Sequence, residues 1–140
     1  MNTAHIVPFD HHYAPRIKAI RWAVFTGEQG IDTRKDFDGQ DPQAVHALIA
    51  LDGTYVGTGR MLADGHIGRL AVHRAHRGKG LGAQLARCLT EQAVCMGLKR
   101  VYLGSQKQAR GFYEALGFTT YGKPFVEVDI EHVHMEMRLT

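Results

Sequence analysis

A glycine-rich turn set between an apolar strand and an apolar helix constrains this chain more than any other feature. Ile67-Gly68-Arg69-Leu70-Ala71-Val72 has the composition of a strand, and Arg77-Gly78-Lys79-Gly80-Leu81-Gly82 opens a helix. Glycines let a backbone come close to a ligand, while the first amides of a helix lack internal partners and point their positive ends outward. A turn of this kind binds phosphate, and Arg77 and Lys79 add positive charge to it.

The spacing excludes two familiar phosphate loops. A P-loop requires Ser or Thr after its lysine so that a hydroxyl reaches magnesium, and here Lys79 is followed by Gly80. A dinucleotide fingerprint requires G-x-G-x-x-G with an acid about twenty residues on. Gly78-Lys79-Gly80-Leu81-Gly82 is one residue too short, and no acid lies around Gly97-Leu98-Lys99-Arg100.

The flanking patterns order the remaining elements. Ile6 to Phe9 reads as a short strand, and Pro15 opens a helix carrying Ile17, Ile20, Val24 and Phe25, with Gly27 as its stop. Ala44 to Leu51, Thr54 to Leu62 and Ile67 to Val72 are apolar runs separated by Asp-Gly pairs, which predicts an antiparallel three-strand meander. Leu81, Leu85, Cys88, Leu89, Ala93 and Met96 mark one apolar helix face that ends at Gly97. Val101 to Leu103 then reads as a strand parallel to Ile67 to Val72, because a helix connects the two. A helix through Ala109, Phe112, Tyr113 and Leu116 stops at Gly117, and strands near Phe118 to Tyr121 and Val133 to Leu139 follow. The expectation is one α+β domain, residues 1–140, on a mixed, mainly antiparallel central sheet with flanking helices.

Charge and cysteine usage narrow the function classes. The 140 residues carry a formal net charge of +3, with the cations gathered at Arg74 to Lys79 and at Lys99-Arg100. That distribution favours an anionic small molecule over nucleic acid, which calls for a longer basic stripe with stacking aromatics. Cys88 and Cys95 lie seven apart in one helix, too far to bridge, and read as reduced core residues of a cytoplasmic protein. No signal peptide or membrane span is visible near the first residues. The nine histidines show no ligand spacing, so no metal is expected. Asp36-Phe37-Asp38-Gly39-Gln40-Asp41 has its glycine in the wrong place for a calcium loop and reads as a solvated loop.

The sequence R-G-x-G-x-G after an apolar strand, followed by Gly111-Phe112-Tyr113-Glu114-Ala115-Leu116-Gly117-Phe118, resembles the GNAT superfamily of N-acetyltransferases. Arg21-Trp22-Ala23-Val24-Phe25, Glu28-Gln29, Gly57-Thr58-Gly59-Arg60 and His132 to Met135 look like a small bacterial branch of it. The resemblance covers essentially the whole chain. It implies two splayed parallel central strands, with acetyl-CoA as co-substrate threaded between them. The acceptor would be a small-molecule or protein amine, and a homodimer is possible.

Roles follow from the same resemblance. The main chain at Leu70, Ala71 and Val72 would bond the pantetheine arm and acetyl carbonyl. The amides of Gly78, Lys79, Gly80, Leu81 and Gly82 would hold the pyrophosphate with help from the Arg77 and Lys79 side chains. Ser105, Gln106, Ala109 and Phe112 would flank the cofactor. Tyr113 matches the tyrosine that approaches the cofactor sulfur, as a proton donor or as a packing ring. Glu28 or His132 would act as base from the cleft mouth opposite the glycine loop, or an ordered water would serve unassisted. Gln29, Asp38 and Glu127 would face the acceptor. The alternative is a non-catalytic acyl-CoA-binding or sensing module of the same fold, separated from an enzyme by whether thiol is released when an acceptor is supplied.

Overall fold

The computed structural model describes residues 3–139. Strand β1 (His5–Val7) leads to α1 (Ala14–Arg21), which runs on without a break into a π-helical segment, Trp22–Glu28. A short α2 (Thr33–Asp36) precedes β2 (Val45–Leu51), β3 (Thr54–Met61) and β4 (Ile67–Val72). Then come α3 (Leu81–Cys95), β5 (Arg100–Gln106), α4 (Arg110–Ala115), β6 (Thr119–Glu127) and β7 (Ile130–Arg138). Gly27 does not stop the first helix as expected. The wider π turn carries the chain past it, and Gly30, at φ +72°, ends the segment.

The expected single mixed sheet is corrected. The strands form two antiparallel sheets, ordered β1-β2-β3-β4 and β5-β7-β6. They meet at one parallel bridge, His66 to Tyr102, where the Tyr102 N–H donates to the Gly65 carbonyl at 3.0 Å. An irregularity in β4 limits the pairing. Gly68 pairs with Arg60 and Ala71 with Thr58, so Arg69 and Leu70 together stand opposite the single residue Gly59. This is a β-bulge, and Arg69 takes the left-handed conformation at φ 50°. The extra residue breaks the even spacing that a parallel ladder with β5 would need beyond His66. It also explains why Ile67 and Leu70, three apart, both pack towards α3.

β2 is covered on both faces. Ala47 and Ile49 belong to the core shared with Leu85 and Leu89 of α3, whereas Leu48 joins Ile17, Ile20 and Val24 of the first helix. Leu85 and Leu89 are fully buried, each worth about 1.5–3 kcal/mol of burial. α3 can sit this close only because β3 offers glycines beneath it. A Cβ on Gly59 would stand 2.8 Å from Leu70 Cδ1 and 3.0 Å from Leu89 Cδ1. The last turn of α3 overhangs this core, so Met96 and Cys95 are exposed, contrary to the expected apolar face, while Cys88 is half-buried.

The 36–41 segment is not a solvated loop. Asp36 and Asp41 are buried together with Arg21, which is fully buried on α1, and Arg60 of β3. Arg21 bonds Asp36 Oδ1 through Nε at 3.2 Å, Asp41 Oδ1 through Nη1 at 2.7 Å and the Asp36 carbonyl through Nη2 at 2.8 Å. Arg60 grips Asp38 with a two-pronged contact at 2.8 and 3.0 Å and also reaches Asp41 at 3.2 Å. Arg69 of the bulge closes the cluster on the carbonyls of Lys35 and Asp36 and on Asp38 Oδ2, at 3.1–3.2 Å. Burial alone would raise the Asp41 carboxyl, but Arg21 and Arg60 outweigh it and hold it below the usual range; Arg60 lowers Asp38 likewise.

Such a cluster fixes geometry more than it adds stability, yet removing one partner strands the others. Arg21→Met is expected to lower the unfolding free energy by about 3–5 kcal/mol in urea titrations. The Asp38 and Asp41 carboxyls ionise more readily in the folded chain than in the unfolded chain. Their contribution is therefore complete above the unfolded value of about 3.9 and is lost as pH falls below it. The wild-type urea midpoint should accordingly drop in acid below about pH 4.

Candidate functional site

The glycine turn forms as the sequence suggests. After β4, the His73 N–H donates to the Val56 carbonyl at 2.9 Å, and a single turn at Arg74–His76 leads to Arg77. Gly78 and Gly80 both stand at φ +79°, where a side chain is strained. Gly80 is the N-cap of the 15-residue α3 and supplies no capping side chain, so the first amides of that helix remain available to an anion. Gly78, Lys79 and Gly80 are exposed, and Leu81 is buried beneath them.

One wall of this site is apolar and aromatic. A Cβ on Gly82 would lie 3.4 Å from Phe112 Cζ and 4.0 Å from Val72 Cγ2, which brings β4, α3 and α4 together at one point. Phe112 is 40% exposed and meets Tyr113 edge-on at 4.9 Å. Tyr113 in turn meets Phe118 edge-on at 5.9 Å, and desolvation pushes its phenol up to about 12. Ser105 is buried with its hydroxyl donating to the Gln106 carbonyl at 2.8 Å, and the Gln106 side chain accepts from Gln108. Ala109 is half-buried at the start of α4.

Arg77 and Glu28 sit differently from the sequence expectation. The Arg77 guanidinium donates to Glu28 through Nη1 and Nη2 at 2.5 and 2.7 Å, and through Nε to the Val72 carbonyl at 3.0 Å. Glu28 thus contacts the glycine loop instead of standing opposite it, and Arg77 holds its carboxyl below the ordinary range. The π-helical turn, which ends at Glu28, delivers the carboxylate there. The Val72 carbonyl expected to face the cofactor is already occupied by Arg77.

His132 lies on the opposite sheet. It is half-buried on β7, across from Gln106 of β5 and Phe125 of β6, and its ring stacks on Phe125 at 5.2 Å. Its Nδ1 lies 2.7 Å from the Ile130 carbonyl; a carbonyl only accepts, so Nδ1–H donates, and in the neutral imidazole the lone pair falls on Nε2. The stack continues from Phe125 to His134 at 4.2 Å and on to Tyr121 at 5.4 Å, with Phe125 lying over Gly104. These rings share one face of the β5-β7-β6 sheet, while Val101, Leu103 and Met135 on the other face pack into the core.

The acids expected to draw an amine are disposed otherwise. Asp38 is gripped by Arg60 and touched by Arg69, so its charge is already matched. Glu127 is exposed at the end of β6 beside the tight turn at Val128-Asp129, and Gln29 is exposed where the π segment ends. Arg60 stands in the Gly57-Thr58-Gly59-Arg60 stretch that carries the resemblance, but nothing in the sequence pairs it or Arg69, which also shapes this side, with these acids. Among the described residues no group of three His, Cys, Asp or Glu is arranged to hold a metal, and no helix is long and apolar enough to cross a membrane.

Comparison with known proteins agrees with this geometry. Residues 29–139 match the family model described as an acetyltransferase (GNAT) domain. The uncharacterized protein YyaT of Bacillus subtilis is 34% identical over 127 residues, 86% of each chain. The structure of an acyl-CoA N-acyltransferase from Pseudomonas aeruginosa superposes with a TM-score of 0.87 at 26% identity, covering 98% of this chain and 99% of that one. ElaA of Escherichia coli superposes at 0.85 with 27% identity and the same coverage. With a family match over most of its length and the glycine turn, helix start and aromatic wall in place, the chain belongs to the GNAT acetyltransferase family.

Proposed function

We propose that this chain is an acetyl-CoA-dependent N-acetyltransferase that transfers an acetyl group to a primary amine of a small molecule or protein, both substrates being bound together. The observation that carries this reading is the uncapped start of α3 behind Gly78 and Gly80, contiguous through Gly82 with Phe112 and Tyr113. The amides of Gly78 to Gly82 hold the cofactor pyrophosphate, with Lys79 adding charge. Main-chain groups of Leu70 and Ala71 that β3 does not use, and the Val72 N–H, bond the pantetheine arm and the acetyl carbonyl, the Val72 carbonyl being held by Arg77. Among the described residues one parallel bridge, His66–Tyr102, joins the residue before β4 to β5, and on this reading the arm would pass between the two strands beyond it. Ser105, Gln106 and Ala109 flank the arm on the β5 side.

In the reaction the amine lone pair attacks the thioester carbonyl carbon, the C–S bond breaks, the nitrogen gives up a proton and the thiolate gains one. Main-chain donors stabilise the oxyanion that forms in between. Tyr113 supplies the proton to sulfur. His132 takes the proton from nitrogen, directly or through water, because its Nε2 lone pair is free while Nδ1 is held by Ile130.

A carboxylate at Gly82 would meet Phe112 and repel the pyrophosphate. Gly82→Glu is therefore expected to abolish acetyl-CoA binding in calorimetry while the circular dichroism spectrum is kept; unchanged affinity would remove the loop from the cofactor site. Wild-type protein that binds acetyl-CoA yet releases no thiol with any of a panel of amines would mark a binding module instead of an enzyme.

Tyr113→Phe keeps the ring and removes only the hydroxyl. Turnover should fall by about ten- to several hundredfold with little change in cofactor affinity. Equal turnover would leave Tyr113 as a packing residue.

His132→Gln keeps a polar side chain but removes the basic nitrogen. Turnover at saturating acetyl-CoA should fall by about a hundredfold or more. A variant as active as wild type would show that an ordered water needs no help from this imidazole.

A further inference from the structure

Arg77 spends its guanidinium on the protein itself. Of its five N–H donors, Nε–H is committed to the Val72 carbonyl at 3.0 Å and two more to the Glu28 carboxylate at 2.5 and 2.7 Å. Val72 is the last residue of β4, Glu28 the last residue of the π-helical segment, and Arg77 the first residue of the glycine loop. The strand, the loop that begins five residues after it and the π segment 49 residues before that loop therefore meet on one planar group. Lys79, by contrast, is exposed and makes no ion pair among the described residues.

We propose that Glu28 is a positioning residue, which locks Arg77 as a brace between β4, the π segment and the loop, so that Arg77 preorganises the phosphate cradle instead of contacting phosphate. The proposal rests on the reading of this loop as the cofactor's pyrophosphate site. Gly78 and Gly80, both at φ +79°, leave the loop with wide conformational freedom that binding would have to remove. Tying Arg77 to the strand before the loop and to the π segment removes part of that freedom in advance, and a preorganised site binds more tightly than a loose one. The bidentate geometry matters because it fixes orientation as well as position.

The opposite arrangement makes an opposite prediction. If Arg77 were a phosphate ligand held in reserve by Glu28, then neutralising Glu28 would free a cation and tighten cofactor binding. Acetyl-CoA affinity measured by calorimetry on wild type, Glu28→Gln, Arg77→Met and the double variant separates the two. The brace predicts that Glu28→Gln weakens binding by about fivefold, the upper end for a partly exposed ion pair. It further predicts that the double variant is no weaker than the weaker single variant, since both singles remove the same contact. In kinetics the KM for acetyl-CoA rises while kcat at saturating cofactor and the KM for the acceptor stay constant, a split that general instability would not produce.

Equal or tighter binding in Glu28→Gln, or single effects that add in the double variant, overturns the brace and leaves the cofactor site intact. A fall in kcat at saturating acetyl-CoA with unchanged affinity also overturns it, by returning Glu28 to the chemistry. Wild-type protein that fails to bind acetyl-CoA overturns the cofactor site and the brace together.

Discussion

The backbone of Arg69 is the constraint on which the rest of the site depends. A non-glycine residue at φ 50° costs about 1–3 kcal/mol and persists only where its surroundings hold it. Here the guanidinium is held by the carbonyls of Lys35 and Asp36 and by Asp38, and those acids are in turn fixed by Arg21 and Arg60. The cluster thus stabilises one bulge. The bulge then sets which way β4 faces: Leu70 and Val72 pack towards α3 and Ala71 towards the first helix. Without the extra residue every side chain beyond Gly68 would change sides.

The ion cluster and the Arg77–Glu28 contact solve the same problem at two ends of β4. Both attach an arginine on or beside the strand to the region that follows the first helix, through carboxylates on or beyond that helix. The inner cluster is buried and holds the bulge; the outer pair is partly exposed and touches the loop. The π-helical turn belongs to this scheme, because its different residue spacing decides where Glu28 emerges.

The glycine loop was legible in the sequence because glycine spacing encodes backbone conformation directly, and Gly78 and Gly80 occupy the left-handed region they suggest. The α3 face was legible through its helical period, apart from its overhanging last turn. The roles of the acids were not. Asp36 and Arg69 are 33 residues apart, and Glu28 and Arg77 are 49 apart, so composition registers their charges but not their pairing. The run Asp36 to Asp41 therefore looked solvated although two of its aspartates are buried. Splitting of the sheet was hidden for a related reason: a bulge depends on how two strands pair, and residues 67–72 alone read as a regular strand.

The surroundings of Tyr113 limit how it can take part in acyl transfer. Burial among Phe112, Phe118 and the core pushes its phenol up to about 12, which keeps it protonated at any physiological pH. The same shift makes it a poorer acid. Complete transfer of its proton to a thiolate of pKa about 8.5 would be uphill by about 5 kcal/mol. A free thiolate waiting for that proton gains little; a sulfur still breaking its bond to carbon, with charge building in a dry aromatic setting, gains more from a short hydrogen bond. In the proposed reaction, Tyr113 would therefore act during C–S cleavage, with the full proton passing only as cofactor or water alters the desolvation that raises its pKa.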